Sequence, residues 1–496
     1  MAKGKIGVTS ENIFPVIKKF LYSEQEIFLR ELVSNAVDAT EKIKALSRKG
    51  EFQGELGDIT VRVKTDKENK TITVSDRGIG MTADEVEQYI NQIAFSSAGK
   101  FLEEYKDSID AIIGHFGLGF YSAFMVSEKV EIITKSWKEG EKAVRWICDG
   151  SPEYEMSDAE KTDRGTDIIL HVAEDSVSYL EDSKIEELLK KYCLFMSVPI
   201  SNGKVKEWKQ DKYIDTDKDK IINDTEPLWT KKPADVKEED YKAFYKKLYP
   251  TTFEEPLFNI HLNVDYPFNL TGILYFPKLR TNLEIQKNKI QLYCNKVFVT
   301  DSVEGIVPEF LTLLHGVLDS PDIPLNVSRS ALQNDGFVKK ISDYISKKVA
   351  DKLSGMCKTD KENYEKYWDD INPFIKYGCL KDEKFCEKMT DYIIFKNLEG
   401  KYITLPEALE ENKEKHENTV FYVTDEIAQS QYIKLFKDEN TDAVILKHSI
   451  DTPFISHLEQ KNKDIKFLRI DTDLTETFKE ETTDEDKETL KTDEET

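Results

Sequence analysis

Glu31 and Asn35 stand one helical turn apart in "EIFLRELVSNAVDAT", residues 26–40, among the apolar residues Ile27, Phe28 and Leu32. Positions i and i+4 share a helix face, so a carboxylate and a carboxamide turn toward the side expected to be apolar. An unpartnered charge there is costly. The sequence must therefore supply that carboxylate with a partner. Asp76, Gly78 and Gly80 follow in "VSDRGIGM", residues 74–81, where the glycines permit a sharp turn and close approach to a ligand. By itself D-x-G-x-G is more often an ordinary Asx-type turn. Gly114, Gly117 and Gly119 precede an apolar run in "IGHFGLGFYSAFMV", residues 113–126. That order lets backbone N–H groups and a helix N-terminus hold phosphates. Gly165-Thr166 in "RGTDIIL" opens a strand and says little alone.

These residues need a layered scaffold. Helical periodicity runs through "FPVIKKFLYSEQEIFLRELVSNAVDATEKIKALS", and "DITVRVKTDKENKTITVSDRG" alternates apolar and polar residues through two strands. "KVEIITKS", "KAVRWICDG" and "TDIILHVAE" read as further strands, and "DSKIEELLKKYCLFMSVPI" as a helix entering a strand. The polar stretch "KQDKYIDTDKDKIINDTEP" reads as a linker. Beyond it, strands are expected in "PLFNIHLNVDYPFNLTGILYFPK" and "KIQLYCNKVFVTD", and a long helix in "FVKKISDYISKKVADKLSGM". "NTVFYVTD", "DAVILKH" and "IKFLRID" suit a small α/β layer.

With 496 residues, the chain has room for about three domains. Its net charge of −24 argues against general affinity for nucleic acid, which needs basic patches. Six scattered cysteines and seven histidines show no ligand spacing, so a disulfide framework and structural zinc are not expected. No run approaches the roughly 20 apolar residues of a membrane span, and a soluble, cytoplasmic protein is expected.

Taken together, the four segments resemble the nucleotide-binding motifs of the superfamily that contains gyrase B, heat-shock protein 90, histidine kinases and MutL. "LYSEQEIFLRELVSNAVDAT", "GLGFYSAFMV", "LLKKYCLFMSVPI", "PLWTKKPADVKEEDYKAFYKKL" and "GVLDSPDIPLNVSRSALQ" narrow this to the heat-shock protein 90 chaperones, in their bacterial form. The resemblance implies an α/β (α+β) fold. A two-layer N-terminal α/β sandwich binds ATP over residues 1–212, and residues 213–226 are a linker. A middle domain follows in two α/β subdomains, 227–375 and 376–478, with an acidic disordered tail at 479–496.

The resemblance also implies roles. Asn35 coordinates a Mg²⁺ on the ATP phosphates, and Glu31 activates the attacking water. Asp76 accepts from the adenine amine, with Thr166 supporting that edge and Gly80 and Met81 lining the base pocket. Phe116, Gly117, Leu118, Gly119 and Phe120 offer backbone amides to phosphate, and Asp38 belongs to the nucleotide-binding set. Arg329 in "PLNVSRSALQ" supplies the cation for the γ-phosphate, with Asn326 and Gln333 beside it. Arg30 is a conformational partner at the domain interface. On this reading the partner of Glu31 is the nucleotide–metal–water cluster, or solvent without it. Residues 93–119 form a lid hinged at Gly99 and Gly114.

Some positions depart from the family pattern. Arg77 stands where most members carry Asn, Phe95 where many carry Lys, and His115 where Gln is common; Lys100 is a candidate substitute for the absent lysine. The family continues into a C-terminal dimerisation domain, whereas this chain stops at an acidic stretch. A largely monomeric piece of a homodimeric protein is therefore expected, acting on non-native client proteins. Two other classes compete. A DNA-acting ATPase of the gyrase B or MutL kind is disfavoured by the acidity, and an ATP-independent holdase by the presence of both Glu31 and Asn35.

Overall fold

The computed structural model describes residues 24–92, 101, 113–114, 117–209, 212–278, 289–323, 325, 336–414 and 416–472. Arg329, Gln333, Asn326, Phe95, Gly99, Lys100, His115 and Phe116 lie outside them, as do most of residues 93–119 and the whole of 479–496.

The first sheet has eight strands: Val61–Asp66 (β1), Thr71–Ser75 (β2), Ser127–Lys135 (β3), Ala143–Cys148 (β4), Glu155–Ala159 (β5), Gly165–Val172 (β6), Ile200–Lys209 (β7) and Lys212–Ile221 (β8). Their order is β5-β4-β3-β6-β2-β1-β7-β8. Only β1 and β7 pair in parallel, so the sheet is mixed. Alternate residues of the central strands point into one apolar layer, with Val61, Val63, Ile72, Val74, Val130, Ile132 and Leu170 all buried. Helix Ile27–Arg48 (α1) lies on that layer. It is buried on nearly every side, because β1 and β2 cover one flank while a 3₁₀ segment, Gly119–Met125, and a later helix cover others. That is why it holds polar residues inside. A short helix, Ala83–Tyr89 (α2), begins at a Thr82–Glu85 capping box. The helix that flanks α1 is Asp182–Cys193 (α3).

Part of the expected linker is instead a strand. Residues 212–221 form β8, pairing with β7 across a surface hairpin. Polar composition misled there, because the hairpin is held by charge: Asp219 bonds Arg62 Nη2 at 2.6 Å and Lys204 at 2.8 Å, and Lys220 bonds Glu186 at 2.6 Å.

Beyond the hairpin, helix Glu238–Leu248 (α4) precedes a second sheet. Its strands are Phe258–Val264 (β9), Leu270–Phe276 (β10), Lys289–Cys294 (β11), Val297–Thr300 (β12) and His315–Asp319 (β13), in the order β12-β11-β13-β10-β9. Trp229 is wholly buried there, edge-on to Phe195 at 4.6 Å, with its indole N–H donated to Asp319 at 3.2 Å. Helices Gly336–Thr359 (α5), Lys361–Lys381 (α6) and Glu383–Met389 (α7) lead to a third sheet. It comprises Ile394–Asn397 (β14), Tyr402–Thr404 (β15), Thr419–Val423 (β16), Ala443–Ile445 (β17) and Lys466–Arg469 (β18), in the order β15-β14-β17-β16-β18. Helices Leu405–Glu411 (α8), Ser430–Asp438 (α9) and Asp451–Lys461 (α10) connect these strands. The division expected between 375 and 376 falls inside α6. Ile371 and Ile375 of α6 share one apolar cluster with Leu274 of the second sheet and Phe395 of the third.

Candidate functional site

Helix α1 touches both glycine-rich turns, and this contact assembles the site. Toward its start, the position a side chain would take at Gly119 lies 2.7 Å from Glu31 Oε2. One turn later, the corresponding position at Gly114 is 3.5 Å from Asn35 Oδ1 and 3.1 Å from Asp38 Oδ2. Next along, the Ala39 carbonyl accepts the Ile79 N–H at 3.1 Å and so fixes the turn that follows Asp76. Glu31, Asn35, Gly114, Gly119 and the Asp76 turn are thus gathered around one helix face.

The partner of Glu31 differs from expectation. Glu31 is buried, and Arg30, also buried, donates to its Oε1 from Nε at 3.1 Å and Nη2 at 2.8 Å. The long guanidinium arm folds back across one residue, which a residue-by-residue helical projection does not anticipate. The same guanidinium lies 5.8 Å from the centre of the Tyr192 ring on α3. Asn35 is half-buried rather than sealed inside, so its carboxamide can reach a ligand.

Asp38 has a more structural place than the sequence implied. Its two oxygens accept the N–H groups of Ile113 and Gly114, both at 2.7 Å. The carboxylate therefore anchors the segment that leads into the glycine-rich turn. Lys42, one turn on, is buried; desolvation holds its pKa low, and the charge of Asp38 opposes that shift.

On the sheet side, Asp76 follows β2 and is buried, and its Oδ1 accepts the Gly78 N–H at 2.7 Å. Desolvation raises its pKa from 3.8 to about 7, against that hydrogen bond and the charge of Lys161. The backbones of Asp76 and Thr166 exchange hydrogen bonds at 2.9 and 3.3 Å. Gly80 has φ +59°, and a Cβ there would fall 1.8 Å from the Lys135 carbonyl, so only glycine fits this crossing. The N–H of Met81, which is half-buried, reaches the hydroxyl of Thr134 at 3.0 Å, and that hydroxyl lies 2.9 Å from the hydroxyl of Thr166.

Sequence reasoning missed Thr134. The signal was a hydroxyl residue at an inward position of β3, one strand from Thr166. Arg77 turns outward to Asp163 at 2.9 Å.

Gly117 and Leu118 are half-buried at the entry to the 3₁₀ segment, where an α-helical run was expected. The Phe120 ring is core, edge-on to Trp146 at 5.7 Å and to Tyr121 at 5.5 Å.

Among the described residues, no group of three or more His, Cys, Asp or Glu could hold a metal ion, and no helix is long and apolar enough to cross a membrane. The oxygen set at Asn35 suits Mg²⁺, which takes one or two protein ligands and completes its shell with phosphate and water.

Residues 202–496 match the Hsp90 protein family, and residues 22–161 match the histidine kinase-, DNA gyrase B- and HSP90-like ATPase family. The chain is 58% identical to the chaperone protein HtpG of Bacteroides fragilis, over 96% of its own length and 70% of that protein's. It is 59% identical to HtpG of Porphyromonas gingivalis, covering 95% and 69% of the two chains. Against HtpG of Idiomarina loihiensis it is 35% identical, covering 93% and 76%.

Proposed function

Because the chain belongs to the Hsp90 family, we propose that it remodels non-native proteins in a cycle driven by closure of residues 93–119 over ATP and docking of its middle region. At the coarser level it is an Hsp90-type chaperone with an ATPase domain. The observation that supports the finer reading is the contact of α1 with both glycine-rich turns. Glu31, Asn35 and the Asp76 turn lie around one face of α1, which supports giving them a shared task.

In this reading Asp76 accepts a hydrogen bond from the adenine amine, a donor that offsets the cost of burying it. Thr134 and Thr166 hold that edge, and Gly80 and Met81 line the base. The backbone at Gly117, Leu118, Gly119 and Phe120 faces phosphate. Asn35 would hold Mg²⁺ together with phosphate oxygens and water, and the bound ion would supply charge neutralisation at the phosphates. Glu31 orients and deprotonates the attacking water, and Arg30 fixes the rotamer of Glu31 through its two donors. Asp38 pins Gly114, the proposed hinge. Arg329, assigned from the family resemblance, approaches the γ-phosphate on docking, with Gln333 beside it. Hydrolysis is therefore slow and gated by domain motion. The whole protein is proposed to be a cytoplasmic homodimer, and exposed apolar residues such as Phe253 and Ile427 offer surface for clients.

Phosphate release by Glu31→Ala beside wild type tests this, together with nucleotide affinity. Affinity is expected to persist while hydrolysis drops about 100-fold or more; equal hydrolysis would contradict the assignment. Arg329→Ala is expected to bind ATP and to lose most turnover, and unchanged turnover would remove it from the mechanism.

A further inference from the structure

The hydroxyl of Thr134, two strands from the Asp76 turn, joins three segments of the chain. Thr134 on β3 stands opposite Thr166 on β6. Thr166 in turn exchanges backbone hydrogen bonds with Asp76, at 2.9 and 3.3 Å. Residues directly opposite one another in antiparallel strands share a face of the sheet, so Asp76, Thr166 and Thr134 form one row. Thr134 is wholly buried, whereas Asp76 and Thr166 each keep 6% of their surface exposed. Thr134 is thus out of reach of a ligand, and any effect it has on one must pass through Thr166.

The end of β3 also grips the turn after Asp76. Trp137 gives its N–H to the Ile79 carbonyl at 2.8 Å, and the Met81 N–H reaches Thr134 Oγ1 at 3.0 Å. A hydroxyl has one hydrogen to donate and two lone pairs. A peptide N–H only donates, so the Met81 bond occupies a lone pair of Thr134 and leaves its hydrogen to be placed. Two oxygens compete for that hydrogen, the Gly165 carbonyl at 3.3 Å and Thr166 Oγ1 at 2.9 Å. Only the second lies within the usual O–H···O range, which ends near about 3.0 Å. Thr134 is then the donor, and Thr166 accepts while keeping its own hydrogen.

Along the row, the two residues with exposed surface therefore offer an acceptor, the Asp76 carboxylate, and beside it a donor, the Thr166 hydroxyl. That order matches one edge of adenine, whose amine donates and whose neighbouring ring nitrogen accepts. Guanine and hypoxanthine present the reverse, a carbonyl beside a ring N–H.

We propose that Thr134 is a positioning residue for base recognition: by donating to Thr166, it holds the Thr166 hydroxyl toward the base, its hydrogen aimed at the ring nitrogen beside the adenine amine. The inference rests on the reading of Asp76 as the adenine contact. Without the Thr134 hydroxyl, Thr166 is free to turn about χ1 and present its methyl group instead.

Calorimetric titration of the 496-residue chain compares ADP with 1-deaza-ADP, in which that ring nitrogen is a C–H group. The titration is run at pH 8, where Asp76 is ionised in spite of a pKa raised to about 7. Wild type is expected to bind 1-deaza-ADP about tenfold more weakly, because the Thr166 donor is left unpaired. In Thr134→Val, ADP binding should weaken and the preference should shrink to about threefold or less. Thr134→Ser restores the hydroxyl and should restore the preference. Thr134→Cys keeps the size with a weaker donor; it should fall between the two, and it carries the test if the Val variant does not fold. A structural role alone would weaken both nucleotides equally. An undiminished preference in Thr134→Val and Thr134→Cys would therefore overturn the proposal and leave the base assignment standing. Equal binding of the two nucleotides by wild type, or no binding of ADP, would overturn the base assignment and the proposal together.

Discussion

Helix α1 carries Glu31 and Asn35, and helix α6 carries Asn372 and Lys376, as polar pairs one turn apart amid apolar packing. Their charges are neutralised over different distances. Glu31 is met by Arg30, its neighbour in the chain, while Lys376 is met by Asp451, 75 residues away on α10. The Arg30–Glu31 pair is made within one helix, so its hydrogen bonds do not depend on a second element keeping its place. A pair between helices is a cross-link, and moving α10 from α6 would leave two buried charges alone. The first arrangement leaves neighbouring elements unconstrained, and the second locks two helices together.

The largest stability effect is expected from breaking the long-range pair. Lys376→Met strands Asp451 and should cost about 3–5 kcal/mol in urea unfolding, with most of it recovered when Asp451→Leu is added. A single variant as stable as wild type would show that the pair does not lock the two helices.

Asp76→Asn comes next, with the opposite sign. The folded-state pKa of Asp76 is raised from 3.8 to about 7, so its contribution is full below pH 3.8 and is lost as pH rises through 7. At pH 8 the nucleotide-free variant should therefore be more stable than wild type by about 2–4 kcal/mol, an advantage that shrinks toward pH 4. Melting curves at the two pH values check this.

A smaller effect is expected at Asp38. Asp38→Asn keeps one acceptor of two and should cost about 1–2 kcal/mol. Faster hydrogen exchange at the Ile113 and Gly114 amides would locate the loss at the anchored segment. Arg77→Asn sits at the bottom of the scale, since an exposed pair of this kind contributes about 0–1 kcal/mol. A large change there would mean that Arg77 has a second role.

The same contrast governs what the sequence revealed. Alternation made β2 readable along its whole length, and β1, β3, β4 and β6 over parts of theirs, because those stretches bury alternate residues in one layer. β8 was missed because its side chains pair by charge at the surface. β13, "HGVLD", is buried at all five positions and so lacks alternation. β5 in "EMSDA" has no buried residue to mark it.

At the site, glycine spacing and the Glu31–Asn35 register were visible because they are local. The Arg30–Glu31 bond, the grip of Asp38 on residue 114 and the Thr134–Thr166 contact depend on how segments fold against one another, and composition carries none of that. The Lys376–Asp451 pair went unread for the same reason: its members lie 75 residues apart in the chain.

The central claim is that Asp76 is buried as a carboxylate for an adenine amine. ADP affinity of wild type and Asp76→Asn, measured by calorimetry from pH 6 to pH 8, tests it most directly. At pH 8 the variant should bind at least about tenfold more weakly, and the gap should narrow as pH falls below about 7 and Asp76 of wild type takes up a proton. Equal affinities at pH 8, with the same pH dependence in both chains, would contradict it.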